Sequence, residues 1–282
     1  MEWDKIEDYR GARIQHGPNN RRTYVMRVGD LEVTELLSYL NSLVEKYGYT
    51  KSFAKVPSSK SPCFLADGWN IEAFVPGFFR DREDAMFLAK YHDPERRKVS
   101  PGIFTRLCKQ INELGIEHPS PLPECLHYHS CGKSDVRKIC ILYRRVFARY
   151  PFPIHDESYI QQTMDENVDY FGIWEGKNLI ALSSAEKNYE ESNVEMTDFA
   201  VLPDYRGLGL ALYLLCHMDA EMAEEGIITA YTIARLNSGG MNATFLKAGY
   251  EYSGTLFNNT NISEGLENMN VYYRKLSNSS SE

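Results

Sequence analysis

The chain has 282 residues, of which 43% are hydrophobic and 25% charged, and its formal net charge is −8. This composition is typical of a globular protein, and the length suits two domains. The acidic balance argues against a nucleic-acid-binding protein, which needs a basic face for phosphates. No run of about 18 apolar residues predicts a membrane span, and the charged stretch Met1–Arg10 is unlike a secretory signal, so we expect a cytoplasmic protein.

The first part of the chain is predicted to repeat the last part. Four elements are predicted here: a helix over 36–47 and strands over 51–56, 71–79 and 85–91. Between them, residues 64–69 (FLADGW) share the Phe-Leu-x-x-Gly-aromatic pattern of residues 245–250 (FLKAGY). Because neighbouring elements follow in the same order, residues 1–120 are predicted to form an α/β domain that is a degenerate half-copy of the C-terminal one. A chance match is the alternative.

Prolines at positions 119, 121 and 123 predict an extended linker close to residue 120. Beyond it, helical and strand patterns alternate over 121–276, and the Ser-rich residues 277–282 are predicted to be a disordered tail. The predicted elements are helices over 134–149, 156–166, 208–223 and 239–248, a hairpin around 170–182, and strands around 193–201, 227–233, 250–257 and 268–275. This order predicts an α/β fold.

Four side chains of types that bind zinc occur close to the linker, at Cys125, His127, His129 and Cys131. In an extended strand they would share one face, but they would spread over roughly 20 Å at about 3.3 Å per residue. Zinc needs all of its ligands within about 2.0–2.3 Å. We therefore expect no metal site here, and free thiols for the six dispersed cysteines.

The stretch with the clearest chemical content is 193–211, NVEMTDFAVLPDYRGLGLA. A predicted strand ends near Pro203, a turn containing Gly207 and Gly209 follows, and a long apolar helix begins at once. Glycines leave the turn open, and the first N–H groups of the helix lack partners, so the turn suits a pyrophosphate. Arg206 adds a phosphate donor. The turn lacks both the Lys-Ser/Thr of NTPase phosphate loops and the third glycine of the dinucleotide fingerprint.

The spacing from Arg206 through Gly209 to Ala211 resembles the Arg/Gln-x-x-Gly-x-Gly/Ala signature of the GNAT family of N-acetyltransferases, with the usual apolar-Ala-Val-x-Pro before it. The resemblance covers about residues 131–276. It implies a mixed, splayed sheet flanked by helices, an α+β arrangement, with acetyl-CoA as cosubstrate between two central strands. The cofactor-binding residues that it implies are Phe199, Ala200 and Val201 for the pantetheine arm, and Arg206, Gly207, Leu208, Gly209, Leu210 and Ala211 for the pyrophosphate. Asn242 is a further candidate contact, because the family's usual asparagine position holds Ser238.

Acetyl transfer requires a neutral amine, since an alkylammonium with a pKa near about 10 has no lone pair. Glu195 falls where the family often has a carboxylate acting through water, and it is the candidate general base; binding the substrate ammonium is the alternative. Asp198 lies three residues further on, so it is expected on the opposite face of the strand. The family's usual acid, a tyrosine, is replaced by Phe245. Candidate replacements are Tyr213, Tyr231 and Tyr250.

Several segments resemble, more narrowly, the β-lysine N6-acetyltransferases, which make the osmolyte N6-acetyl-β-lysine. These segments are 150–156 (YPFPIHD), 181–186 (ALSSAE), 195–199 (EMTDF), 231–235 (YTIAR) and 256–263 (LFNNTNIS). The resemblance implies that the acceptor is the terminal amine of β-lysine, a small molecule. Carboxylates would bind its ammonium groups, and a cation or amides its carboxylate. The candidate substrate-binding residues are Asp156, Glu157, Asp198, Arg235, Asn258 and Asn259.

The sequence is also compatible with two other functions. One is an acetyltransferase for protein or peptide lysines or for polyamines; a peptide needs an open groove rather than a closed pocket. The other is a non-catalytic acyl-CoA-binding module, which the missing tyrosine would suit. The N-terminal region could supply either a lid or the surface of a homodimer.

Overall fold

Two mixed sheets, one from each half of the chain, organise the structure, a computed structural model that describes residues 3–100, 102–262 and 265–276. The predicted tail, 277–282, lies outside the described residues. The N-terminal elements are β1 (Lys5–Tyr9), β2 (Ala12–Gly17), β3 (Arg22–Arg27), α1 (Val33–Tyr47), β4 (Lys51–Pro57), α2 (Ser61–Ala66), β5 (Asn70–Phe79) and β6 (Glu83–Tyr91). Their strands are ordered β1-β2-β3-β4-β6-β5.

The second sheet begins after α3 (Thr105–Glu113) and after residues 114–123, which carry no helix or strand. Its elements are β7 (Leu126–Cys131), α4 (Val136–Val146), α5 (Glu157–Asp165), β8 (Val168–Glu175), β9 (Asn178–Asn188), β10 (Asn193–Val201), α6 (Leu210–Glu224), β11 (Thr229–Arg235), α7 (Gly239–Lys247), β12 (Glu251–Ile262) and β13 (Gly265–Lys275). The strand order is β12-β13-β11-β10-β9-β8-β7. The predicted α/β fold is confirmed, and the strand over 193–201 has the predicted bounds.

Both sheets are connected in the same way. The series β3–α1–β4–α2–β5–β6 recurs as β10–α6–β11–α7–β12–β13, and the strands take equivalent places in space. In each sheet the first two strands of the series are parallel neighbours and the last two form an antiparallel hairpin. This shared topology supports the prediction that the N-terminal region is a degenerate copy.

The helix α3 lies before the predicted domain boundary at residue 120, but it packs on the C-terminal half of the protein. Its Leu107 is buried in the core that also contains the apolar side chains of α6 and α7. The Gln110 Nε2 donates to the Gly239 carbonyl at 2.8 Å. The last helix of the predicted N-terminal region is therefore part of the C-terminal packing.

Three of the four zinc-type side chains, His127, His129 and Cys131, lie on β7, which pairs antiparallel with β8, and Cys125 directly precedes this strand. Its His129 ring stacks on Trp174 with centroids 4.8 Å apart. Across the described residues, no three His, Cys, Asp or Glu side chains are grouped so that they could hold a metal ion. None of the helices described is long and apolar enough to span a membrane.

The two sheets pack on each other through β5 and β12. One apolar cluster combines Phe53, Val75 and Phe87 of the first sheet with Leu256 and Val271 of the second. Apolar burial on this scale provides most of the free energy that holds two domains together. The halves are consequently one packed unit.

This packing predicts a contrast between two glycines. A Cβ at Gly254 of β12 would overlap the Glu72 carbonyl oxygen and lie 2.9 Å from the Ala73 Cα, so Gly254→Ala must push β5 and β12 apart. We expect it to lower the free energy of unfolding by about 1–3 kcal/mol. Gly240→Ala, whose Cβ would meet nothing within 4 Å, should not lower it, because alanine favours the helix. Urea denaturation of both variants tests this; equal stabilities would contradict it.

Candidate active site

The parallel strands β10 and β11 part along their length. They pair from Asn193 to Glu195 on β10 and from Thr229 to Tyr231 on β11, and the pairing ends there. β10 runs on to Val201 and stays paired with β9. In the described part of the chain, the β11-facing edge of 199–201 therefore has no strand beside it. A free strand edge can hydrogen-bond an extended ligand as it would an added strand.

An open turn joins β10 to α6. Gly207 and Gly209 have φ of 86° and 72°, values that L side chains rarely adopt. Gly209 is the N-cap of the 15-residue helix α6. Among the described residues, no backbone carbonyl accepts a hydrogen bond from the N–H groups of 207–211. These free donors at the positive end of a helix suit a pyrophosphate.

Arg206 differs from the prediction in one respect. Its backbone N–H donates to the Pro203 carbonyl at 3.2 Å, so this group is not among the free donors of the turn. The side chain is exposed, with Nε 3.4 Å from the Val201 carbonyl. Its contribution to a phosphate site would therefore come from the guanidinium alone.

Three carboxylates converge where β10 and β11 part. Glu195 lies opposite Glu186 of β9 in the antiparallel register, so the two share one face of the sheet. Asp198 joins them, with Ser184 Oγ donating to its Oδ2 at 3.1 Å. All three are surrounded by protein on most sides, yet Glu186 is exposed and the other two are partly exposed. They must therefore line a cavity that is open to solvent.

The predicted orientation of Asp198 is wrong, and a β-bulge is the reason. The register of β10 against β9 shifts between Thr197 and Ala200, and Asp198 has φ of 56°. An extra residue in one strand breaks the simple alternation of faces. Asp198 therefore turns onto the face of Glu195, where the Tyr150 hydroxyl also donates to its carboxylate.

The N-terminal sheet forms the opposite wall of this acidic cavity, by which we mean the space lined by Glu186, Glu195 and Asp198. Lys55 of β4 donates from Nζ to the Tyr231 hydroxyl at 2.9 Å. The phenol of Tyr24 of β3 lies close enough for the Glu195 charge to raise its pKa, in addition to the effect of burial. Both domains therefore supply polar groups to one cavity.

Burial dominates the electrostatics of the cavity. Desolvation raises the pKa of Glu195 to about 7, the negative charge of Glu186 adds to this effect, and Lys55 and Tyr231 oppose it. Burial likewise raises the pKa of Asp198, although hydrogen bonds from Tyr150 and Ser184 oppose the rise. A carboxylate with a pKa near the working pH is suited to general-base catalysis.

Comparison with known proteins agrees with this geometry. Residues 137–250 match the model of the acetyltransferase (GNAT) family. The β-lysine N6-acetyltransferase of Methanococcus maripaludis is 38% identical over 275 residues, which cover 96% of this chain and 98% of that one. The N-acetyltransferase YodP of Bacillus subtilis is 43% identical over 268 residues (94% and 96%), and the β-lysine N6-acetyltransferase of Methanosarcina mazei is 36% identical over 168 residues (60% and 62%). This chain belongs to the GNAT family.

The protein is accordingly an N-acetyltransferase that uses acetyl-CoA. Its residues fit that cosubstrate: the free edge of 199–201 can hold an extended pantetheine arm, and the donors of 207–211 can hold the pyrophosphate. Bound acetyl-CoA supplies the acetyl thioester. The acidic cavity lies where β10 and β11 part, next to the free edge of 199–201, so an amine bound there would be close to the thioester.

Asn242 of the acetyltransferase does not have the CoA-binding role predicted for it. Its side chain is buried and its amide nitrogen donates to the carbonyls of Ser238 and Leu236 at 2.7 and 3.1 Å. Its amide oxygen accepts from Tyr272 and Asn270 at 2.7 and 2.8 Å. These bonds hold the start of α7 against β13 and leave the side chain no group to offer a ligand.

The final hairpin also differs from its predicted role. The Asn258 side chain donates to the Arg96 carbonyl at 2.8 Å, and the Asn259 carbonyl accepts from Arg22 at 2.5 Å. The Asn258 side chain and the Asn259 main-chain carbonyl therefore join β12 to the N-terminal domain. The prediction that the Asn258 side chain binds the substrate carboxylate is wrong, because both of its N–H bonds are directed to the carbonyls of Arg96 and Lys98. The Asn259 side chain is buried, and none of the described residues hydrogen-bonds its oxygen.

The remaining predicted substrate residues lie outside the acidic cavity. Arg235 forms a two-bond ion pair with Glu267, at 2.9 and 2.5 Å, so its charge is already matched. Asp156 is the N-cap of α5 and accepts from the Ser158 N–H at 2.8 Å. Asp156 and Glu157 line an outer cavity of about 500 Å³, and Tyr150 is part of the same lining. Tyr150 thus separates this outer cavity from Asp198.

Of the three tyrosines considered as acids, Tyr231 alone is placed at the acidic cavity. Tyr250 donates to Asp219 at 2.6 Å in a buried pair, and Tyr213 stacks on His217 with centroids 4.0 Å apart. Phe245, which holds the family's tyrosine position, is buried against Phe199. Tyr231 is therefore the remaining candidate for protonating the leaving thiolate.

Sequence reasoning missed Glu186, Lys55, Tyr24 and Tyr150. Glu186 had a local signal, because Ser184 and Glu186 are two polar residues at alternate positions of one strand and therefore share a face. Lys55 had none, since its partner Tyr231 is 176 residues away in the sequence.

The turn before α6 predicts a second matched pair of variants. Gly209→Ala and Gly226→Ala both place a Cβ in open space at positive φ, 72° and 84°, and each should cost about 1–2 kcal/mol of stability. Only Gly209 adjoins the free N–H donors, so only its variant should weaken acetyl-CoA binding, by about ten-fold. Calorimetric titration measures this; an equal loss of affinity in both would assign the effect to stability alone.

Proposed function

We propose that this acetyltransferase transfers the acetyl group of acetyl-CoA to the terminal N6 amine of β-lysine. The observation that carries the proposal is the acidic cavity where β10 and β11 part, beside the free strand edge. The names of two relatives, both β-lysine N6-acetyltransferases, support this choice of acceptor.

The charges of the cavity suit a diamine. Among the described residues, the three carboxylates Glu186, Glu195 and Asp198 outnumber the cations that act on them, which are Lys55 and, on Glu186, also Arg13. Uncompensated carboxylates in a desolvated site gain free energy by binding ammonium groups. β-Lysine carries two such groups, and binding either of them would favour the ionised carboxylates.

The location of the cavity favours a small acceptor over a peptide. Its walls come from two packed sheets, with Tyr24 and Lys55 on one side and the three carboxylates on the other. A peptide needs a groove through which the chain can pass, whereas small ligands occupy enclosed clefts. Lysine side chains of proteins and polyamines are the alternative acceptors.

Each polar residue has a definite task in the proposed reaction. Glu195 removes a proton from the ammonium, directly or through water, so that the amine lone pair can attack the thioester. Asp198, held by Tyr150 and Ser184, fixes the amine beside it. Tyr231 returns a proton to the leaving thiolate. A role in osmolyte synthesis, a cytoplasmic location and a homodimer stay predictions.

A competition assay tests the acceptor. Purified enzyme with acetyl-CoA is offered β-lysine, α-lysine, spermidine or a lysine-containing peptide, and thiol release is measured. We expect kcat/KM to be highest for β-lysine, the acceptor in the names of two relatives. Its two ammonium groups and short chain separate it from the peptide and from spermidine, and the direct comparison with α-lysine tests the position of the second amine. A higher value for the peptide or for spermidine would overturn the small-amino-acid proposal. No thiol release with any acceptor would instead favour a binding module.

The pKa of Glu195 predicts the pH range in which Glu195→Gln lowers activity most. Below pH 7 the wild-type Glu195 carboxyl is mostly protonated and cannot act as a base. Above about pH 10 the substrate amine loses its proton without a base. The variant should therefore lose about 10²-fold in kcat/KM between these limits, and the loss should shrink on both sides. Its affinity for acetyl-CoA should be unchanged.

The exposed Glu190 provides the control, because Glu190→Gln removes a carboxylate far from the cavity wall, on the turn after β9. It should keep the wild-type pH profile. A Glu195→Gln variant with wild-type turnover at pH 8 would remove Glu195 from the mechanism.

A further inference from the structure

A lysine of the N-terminal domain enters the catalytic cavity of the C-terminal one. Lys55 lies near the end of β4, paired with Phe87 of β6, and its Nζ donates to the Tyr231 hydroxyl at 2.9 Å. We propose that Lys55 is a positioning residue for acetyl transfer: it fixes the Tyr231 hydroxyl and keeps a positive charge beside Glu195. The inference rests on the proposed function and makes the N-terminal domain part of the active site.

The ammonium of Lys55 is held by two aromatic rings. Nζ lies 5.0 Å from the ring centroids of both Phe78 and Tyr231, and these rings meet edge to face at 4.9 Å. Phe78 comes from β5 and Tyr231 from β11, so the two domains hold the cation jointly. Cation–π contacts of this kind stabilise an ammonium without neutralising it.

Lys51, four residues earlier on the same strand, shows what an ordinary structural lysine of this interface looks like. Its Nζ lies 2.8 Å from a Glu72 oxygen in a buried ion pair. Within the described chain, Lys55 has no carboxylate within 4.0 Å; Glu195 and Glu186 act on it at longer range. Its charge is therefore available to the cavity as a whole.

Lys55 is the cation among the groups that act on Glu195. Glu186 comes from β9, Asp198 from β10, Tyr231 from β11 and Lys55 from β4. The phenols of Tyr24 on β3 and Tyr150 after α4 also face Glu195. Removing Lys55 would leave three carboxylates together, and such groups respond by taking up protons.

The sign of the effect follows from this arrangement. A nearby positive charge favours the ionised form of Glu195 and so lowers its pKa. Without that charge the pKa rises, and a general base that titrates higher is protonated over more of the neutral range. The acid limb of the pH–rate profile must therefore move to higher pH when Lys55 is replaced by an uncharged residue.

The experiment compares Lys55→Met, Lys55→Arg and Lys90→Met by thiol release across pH 5.5 to about 9.5, at saturating acetyl-CoA. Methionine keeps the length and loses the charge, whereas arginine keeps a charge and a donor. Lys90 belongs to the same sheet but pairs with Asp67 at 2.8 Å, outside the cavity. We expect Lys55→Met to shift the acid limb of the kcat/KM profile to higher pH by about one unit or more. Lys55→Arg and Lys90→Met should leave the acid limb near its wild-type position.

Two outcomes would overturn the inference. One is a Lys55→Met variant whose acid limb coincides with that of the wild type. The other is that both Lys55 variants lose the same factor in kcat/KM at every pH and also have a lowered Tm. The contact between Lys55 and Tyr231 would then be purely structural. The profile is measured with whichever amine the wild type acetylates best. Failure of β-lysine as acceptor is thereby distinguished from failure of the role of Lys55.

Discussion

The separation of β10 from β11 after Glu195 is the constraint on which the other features of the site depend. Two adjacent parallel strands in a sheet ordinarily satisfy each other's backbone groups, and here they stop doing so in the middle of the sheet. The result, within the described residues, is an edge at 199–201 with no strand beside it, next to the N–H groups of 207–211, from which no backbone carbonyl accepts a hydrogen bond. A ligand with an extended amide-containing arm and a pyrophosphate satisfies both.

The same opening explains the acidic cavity. With β11 turned away and β10 bulged at Asp198, the carboxylates of two strands face a space that no strand fills. Burying them raises their pKa values and costs stability, which is the usual consequence of collecting like charges at a site. The stacked sheets offset this cost through the shared apolar cluster between β5 and β12.

The N-terminal sheet repeats the topology of the catalytic one but lacks its phosphate turn. Between β3 and α1 the corresponding segment carries Asp30 and Glu32, and Glu35 follows in the first turn of α1. Negative side chains at a helix N-terminus compete with an anion for the same dipole. Its Gly29 instead allows close backbone packing, since a Cβ there would overlap the Gly11 carbonyl oxygen. The N-terminal sheet therefore contributes a wall of the cavity and no phosphate turn.

The sequence by itself determined whatever local pattern controls: the α/β class, the strand over 193–201 and the glycine turn before α6. These features depend on residues close together in the chain, so spacing and residue type suffice. The choice of Glu195 as candidate general base came from the family resemblance and stays a prediction. Only the tertiary structure decided that the bulge reverses Asp198, that Asn242 and Asn258 bind backbone instead of ligands, and that Lys55 faces Tyr231. Each of these depends on a change of register or on contacts that a side chain makes once the chain has folded, which alternation and spacing cannot encode.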